Sequence, residues 1–382
     1  MRPLVRLGAE SPFGLALPSA TPTASQLYAP RGVWLDEKRV IVADSGNHRV
    51  LIWHRPPTRD GAAADVVLGQ PDFEHEGAKA GGADVERGLH LPTGVAVIDG
   101  RLVVADAWHH RLLVWHTIPS TSYTRPDVVI GQASLLDIEP NRGGDVSAST
   151  LYWPYGFGMG AGWFWIADTG NRRVLGWPSL PLDGEPAHVV LGQSSPNENS
   201  ENRGGDVRGD SFRWPHAVAG DDRSLYIADA GNHRIVGWTP RPMADRAADL
   251  VLGQRDFVSN EELPHRKQGA HRLRFPYALA SGADRLAVAD TANNRILLWR
   301  SLPRAGVQRP ADAVLGQLDF DAAGENRWKS VGADTLCWPY GIAMHGNTLA
   351  IADSGNNRVV IWSLEDADVP LDAAPSSLAA TT

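Results

Sequence analysis

The chain has 382 residues, 43% of them apolar, and a formal net charge of −8. That supplies a large core, while the acidic balance argues against a broad nucleic-acid footprint or an anionic membrane as partner. Cys337 is the sole cysteine, no apolar run reaches membrane-spanning length, and no hydrophobic segment follows Arg2 and Arg6 as it would in a signal peptide. The expected setting is a reducing cytoplasm, with no internal disulfide and no membrane contact.

Taken in order, the chain repeats itself. In the first unit the turn-bounded segments rich in Val, Ile, Leu and Trp predict four short strands, at Gly32–Leu35, Val40–Ala43, Arg49–Trp53 and Asp65–Leu68. Tight turns at Asp36–Lys38, Ile98–Gly100 and His345–Asn347 join first strands to second. The stretch A-D-S-G-N-H-R-V-L-I-W at 43–53 returns five times, with aspartates at 44, 106, 168, 229, 290 and 353, so the period is 61 to 63 residues. Each copy carries an arginine (Arg49, Arg111, Arg173, Arg234, Arg295, Arg358) and closes on a tryptophan. A P-x-[GA] motif enters every unit, from Pro30-Gly32 to Pro339-Gly341, and a Leu-Gly or Ile-Gly pair closes it. Four-stranded units repeated at a fixed period predict an all-β, six-bladed β-propeller.

Closure follows from a count. Six A-D copies are followed by only five [LI]-G pairs. The sixth is Leu7-Gly8, with Pro12-Phe13 after it as Pro71 and Phe73 follow Gly69. The N-terminal strand is therefore expected to complete the last blade, whose other three strands come from Gly341–Trp362, and to remove open sheet edges. Residues 1–364 are expected to form one propeller, with 365–382, rich in Ala, Ser and Asp, as a disordered tail.

These stretches resemble the NHL repeat family, on Asn47-His48-Arg49 and Asn232-His233-Arg234, over roughly Leu4 to Leu364. The resemblance implies NHL-type repeats. It is open on function, because propellers of this family include zinc lyases, RNA-binding domains and protein-binding domains, and related propellers include lactonases. Zinc-dependent amidating lyases of the family place histidines at P-H-x. Only Trp214-Pro215-His216 matches here, and one histidine cannot build a three-ligand zinc site. No metal, cofactor or catalytic residue is assigned.

Six-fold features point to architecture. An Asp ending strand two and an Arg on strand three of every blade are what a repeated buried salt bridge would look like. The six tryptophans read as packing between blades. Loops of 21 residues enter five of the blades, at 71–91, 133–153, 194–214, 255–275 and 318–338, and their constant length reads as a packing piece. Asymmetry points to function. The middle residues of P-x-[GA] are Arg31, Thr93, Tyr155, His216, Tyr277 and Tyr340, which are expected to surround the channel mouth as ligand-binding residues.

In the second blade Trp108-His109-His110 replaces Gly46-Asn47-His48. A bulky residue where positive φ is wanted would force another turn type, and Trp108 with His109 would offer a partner anchor on the long-loop face. A metal pair of His109 and His110 is disfavoured, since neighbouring side chains on an extended segment diverge. Arg272 and Arg274, in a basic loop at 265–274, face an acidic one bearing Glu74, Glu76, Asp84 and Glu86, and are further partner-binding candidates. Cys337 reads as a buried thiol. The expectation is a monomeric, non-enzymatic scaffold for a partner protein or small polar ligand. The alternatives are a metal-dependent hydrolase or lyase in the mouth, disfavoured by a mouth nearly free of carboxylates, and RNA binding through 265–274.

Overall fold

A computed structural model describes residues 1–8 and 21–365. Pro12-Phe13 and the tail 366–382 lie outside the described residues. The chain opens with β1 (Arg2–Gly8), and the first blade follows as β2 (Gly32–Leu35), β3 (Val40–Asp44), β4 (Arg49–Trp53) and β5 (Val66–Leu68), hydrogen-bonded in that order. Five more sheets repeat the meander. The fourth gains a short parallel edge strand at Gly306–Val307, beside Leu250–Leu252.

The ring closes at the N-terminus. β1 runs antiparallel to Arg358–Ser363, with Leu7 opposite Val359 and Gly8 opposite Arg358, so the last blade is built from both ends of the described chain. This pairing satisfies the backbone groups of a strand that would otherwise be an open edge.

Apolar side chains gather in six cores, each between neighbouring blades. Val5, Leu7, Val33, Leu51 and Val359 share the one that joins the last blade to the first. Trp53, Trp115, Trp177, Trp238 and Trp299 are buried, and each indole N–H donates to a carbonyl in the link that follows its strand. They pack between blades as the sequence pattern implied.

The turn between second and third strands is one shape in all six blades: a single 3-10 turn, such as Ser45–Asn47, then one left-handed residue. That residue is His48, His110, Arg172, His233, Asn294 or Asn357, at φ between 52° and 56°. The expectation that Trp108 breaks this turn is therefore corrected, because its position does not carry the positive φ. Glycine stands there in four blades for closeness instead: a Cβ on Gly46 would meet the Tyr28 ring at 2.5 Å, and one on Gly170 the Tyr152 carbonyl at 2.5 Å. At Trp108 the facing residue is His90, whose ring lies 5.9 Å from the indole.

Each aspartate and arginine of the repeat form a buried pair. Asp44 Oδ2 accepts from Arg49 Nε at 2.7 Å and from the Asn47 amide at 2.9 Å, and its Oδ1 accepts from the Tyr28 N–H at 2.7 Å. Arg49 then reaches the Phe73, Thr23 and Gln26 carbonyls with its remaining nitrogens. Burial lifts the Asp44 carboxyl above its ordinary value and the Arg49 charge opposes that. Every assigned partner of the carboxylate is a donor, so we assign it as ionised. Replacing Asp229 by alanine would strand Arg234 among carbonyls without its countercharge, and urea unfolding is expected to show a loss of about 3–5 kcal/mol.

Deleting residues 1–8 exposes the Arg358–Ser363 edge and removes Val5 and Leu7 from their core. A lower melting temperature and concentration-dependent aggregation are expected, read by calorimetry and light scattering.

Candidate functional site

The entry to each blade sets one side chain at the axis. Residues 29, 91, 153, 214, 275 and 338, each just before the proline, all have positive φ, from 44° to 57°. In five blades this strained residue is held from the preceding one. His48 Nδ1 accepts from the Leu91 N–H at 3.1 Å, His110 Nδ1 from Trp153 at 3.1 Å and His233 Nδ1 from Phe275 at 3.2 Å. Asn294 and Asn357 do the same with Oδ1, to Trp338 and Ala29, at 2.9 Å each. The histidine of Asn-His-Arg is thus an inter-blade bridge.

Beyond the proline, Arg31, Thr93, Tyr155, His216, Tyr277 and Tyr340 do meet around one recess of about 90 Å³. Their rings form a continuous arc. Tyr155 and His216 lie 4.3 Å apart, His216 and Tyr277 stack at 4.3 Å and 7°, and Tyr277 and Tyr340 lie at 5.0 Å. The Arg31 guanidinium ends the arc, 5.1 Å from the Tyr340 ring centre. Thr93 Oγ1 donates to the Tyr155 carbonyl and closes the wall on the other side. His216 is fixed by its Nδ1, 2.7 Å from the Trp214 carbonyl, and burial holds it neutral with a pKa of about 4. Burial also raises the Tyr155 and Tyr340 phenols, and pushes Tyr277 to about 12, so all three stay protonated donors.

The residue before each proline adds a second tier that the sequence analysis passed over. Trp153 lies 5.9 Å from Tyr155 and 6.1 Å from His216, and Phe275 lies 6.3 Å from Tyr277. The signal was present in the sequence: W-P-Y, W-P-H, F-P-Y and W-P-Y enter blades three to six, against A-P-R and L-P-T in blades one and two. The mouth is aromatic on one side only. A second missed signal is the glutamine after five of the six Leu-Gly or Ile-Gly pairs, at 70, 132, 193, 254 and 317. The side-chain amide of Gln70, for instance, donates to Gly77 in the loop and to Asn47 in the turn.

The partner-binding candidates separate. Trp108 is 44% exposed and leans on Trp153 with its ring 5.9 Å away, so it is both accessible and packed. His109 is 1% exposed, and the expectation that it meets a partner is corrected. It takes the place of the asparagine found in the other five blades, with Nδ1 2.8 Å from Asp106 Oδ2. Burial alone would raise the Asp106 carboxyl, but the His109 and Arg111 charges hold it below the ordinary range. Arg274 is committed to Glu262 at 2.9 Å, and Lys267 in the same basic loop to Asp321 at 3.0 Å. The Arg272 carbonyl accepts from Arg295, and its side chain borders a shallow pocket with Gln254 and Glu261. Cys337 is buried and its thiol is pushed up to about 12, chiefly by burial.

The long loops serve the body of the ring. Asn141 and Asn171 exchange amide hydrogen bonds, as do Asn202 with Asn232 and Asn326 with Asn356, pinning loop to turn. Among the described residues, no three of His, Cys, Asp and Glu converge as metal ligands, and no helix is long and apolar enough to cross a membrane.

Residues 89–115, which run from the loop before the second blade to its closing tryptophan, match the NHL repeat model. The chain is a six-bladed propeller whose second blade matches the NHL repeat. Among solved structures, this propeller aligns with a protein of unknown function from Bacteroides thetaiotaomicron VPI-5482, over 93% of this chain and 73% of that one, at 12% identity and a TM-score of 0.43. An auxiliary nutrient binding protein from the same organism aligns over 90% and 70%, at 10% identity and a TM-score of 0.50. Raptor from Chaetomium thermophilum aligns over 94% of this chain and 30% of its own, at 12% identity and a TM-score of 0.44. At such identities the likeness is one of fold. No curated protein matches the sequence.

The bridging histidines give the propeller a testable acid sensitivity. Burial lowers His48, His110 and His233 from 6.5 to about 4. The unfolded chain takes up protons near pH 6.5 and the folded chain not until about 4. Their contribution is therefore complete above 6.5 and is lost as pH falls between those values. Asparagine keeps the bridge in the two last blades, so the triple variant His48→Asn, His110→Asn, His233→Asn is expected to lose less melting temperature between pH 7 and pH 4.5 than the wild type does.

Proposed function

We propose that this propeller is a non-enzymatic binding scaffold, engaging a partner protein or a small polar ligand through the face that carries the long loops and the channel mouth. The observation that carries the reading is the unequal distribution of exposed apolar side chains. Among the described residues most of the exposed large apolar side chains, Trp108, Leu136, Tyr152, Val258, Leu318, Trp328 and Trp338 with Tyr28 at the first-blade entry, sit on the long loops, the second-blade turn or a blade entry, against Leu4, Met159, Met243 and Val307 elsewhere. Exposed apolar side chains gathered on one face mark interaction sites, whereas scattered ones need no explanation. The architecture shared with an auxiliary nutrient binding protein agrees with a binding role at the level of fold. The recess is far smaller than the roughly 300–1,000 Å³ of ordinary small-molecule pockets, so a ligand would enter it with one group only. We assign the scaffold as one folded unit, monomeric and in a reducing cytoplasm, on the closed ring and the single buried Cys337.

Trp108→Ala and Trp328→Ala test the face. Both side chains are largely outside the cores, so the melting temperature is expected to hold. Affinity for a co-purified partner is expected to fall by about 30-fold or more for the double variant, as loss of an aromatic anchor does. Undiminished capture by the double variant would place the binding surface elsewhere.

A further inference from the structure

The mouth of the channel carries charge of one sign only. Among the described residues, Arg31 has no carboxylate within ion-pair distance, and its neighbours are the Tyr340 ring and the Tyr155 phenol. The charges that bear on Tyr155, His216, Tyr277 and Tyr340 come from Arg31 and from one another, with no Asp or Glu among them. A half-buried guanidinium without an acid is a site for one.

The donors around it are unspent. The Tyr155 hydroxyl is buried and its O–H finds no acceptor, while the Arg31 guanidinium approaches the phenol oxygen as a cation and a donor. The residue is 4% exposed, and a buried hydroxyl left without an acceptor is uncommon in native proteins. The neighbours do not supply that acceptor. Thr93 Oγ1 is turned to the Tyr155 carbonyl and His216 Nδ1 to the Trp214 carbonyl, and neither side chain makes a hydrogen bond to the phenol. One cation and three phenol donors therefore border a recess of about 90 Å³.

We propose that the mouth binds the carboxylate group of a small organic acid. The carboxylate oxygens take the Arg31 guanidinium and the Tyr155 hydroxyl, with Tyr340 and Tyr277 as further donors, and the body of the acid lies outward against the Trp153 and Phe275 side of the funnel. Charge selects the class. A carboxylate is neutralised by the single guanidinium, whereas a phosphate dianion would leave one charge uncompensated among buried rings. Volume selects the depth, since the recess admits the acid group and leaves the rest of the molecule above it. The inference deepens the proposed binding role and rests on the mouth, not on the loops or on Trp108.

Isothermal titration of the full chain with sodium acetate, sodium benzoate, benzyl alcohol and inorganic phosphate tests it. Both carboxylates are expected to bind with one site per chain, benzoate the tighter, and phosphate and benzyl alcohol at least about tenfold more weakly than benzoate, as loss of a charged hydrogen-bonded pair predicts. Arg31→Gln is expected to weaken benzoate by about tenfold or more, and Tyr155→Phe by about tenfold, with unchanged melting temperatures. Arg31→Lys should retain part of the affinity. The proposal is overturned if neither carboxylate binds, if phosphate binds more tightly than benzoate, or if Arg31→Gln binds benzoate as the wild type does. Trp108→Ala/Trp328→Ala retaining benzoate while losing the captured partner would support a mouth site independent of the loop surface. Arg31→Gln losing benzoate while keeping the partner would do the same from the other side.

Discussion

The buried aspartate–arginine pair is the interaction on which the ring depends. It occurs once per blade, with no exposure of Asp44, Asp106, Asp168, Asp229, Asp290 or Asp353. Taking two charges out of water is costly, and the cost is met only where geometry and further hydrogen bonds satisfy both. Here the carboxylate receives three donors. The guanidinium spends its remaining nitrogens on carbonyls of two different loops, as Arg234 does with Phe257, Arg208 and Ser211. A pair inside one sheet thus fixes the loop before that blade and the loop after it. Long segments without regular structure are held to the body this way, and their constant length follows from the constant reach of an arginine side chain.

Much of this was legible from spacing alone. The period, the six aspartates and arginines, and the unmatched Leu7-Gly8 were sufficient for blade number and closure, because a propeller converts sequence repetition directly into rotation about an axis. The middle residues of P-x-[GA] were legible as neighbours for the same reason: six equivalent positions on innermost strands must face one channel. What spacing could not show was which equivalent residue bears the strain. Glycine in A-D-x-G-N suggested positive φ at that position, whereas the left-handed residue is two places later, at His48 and its counterparts. The glycine is there because Tyr28 or Tyr152 packs over it, a contact between residues 18 apart that no local rule displays.

The second blade shows how an exception can keep the rule. His109 replaces an asparagine, and its Nδ1 takes up the same oxygen of the aspartate that the asparagine amide would. Trp108 replaces a glycine and turns outward over Trp153. One substitution is absorbed into the hydrogen-bond network, and the other leaves a surface feature, yet from sequence the two adjacent departures looked alike. The difference lies in whether the side chain points at the buried carboxylate or away from it, which the three-residue turn decides.

Repetition also explains why the irregular residues collect where they do. Within a blade the aspartate and the arginine, and in five of the six the closing tryptophan and the left-handed bridge, each answer to a neighbour, so a change at any of these removes a buried bond. The residues on either side of the entry proline carry no such six-fold duty in their side chains. The one before it is held, in five blades, through its backbone N–H, and the one after it lines the channel, where its contacts differ from blade to blade. These two positions are free to differ from blade to blade without loss of the ring. They are also where this chain departs furthest from symmetry, with Arg31 and Thr93 facing Tyr155, His216, Tyr277 and Tyr340 across one opening. A closed ring thereby confines variation to its axis and its rim. An arginine without an acid, set among phenols at the axis, is the departure from symmetry that the ring itself does not require.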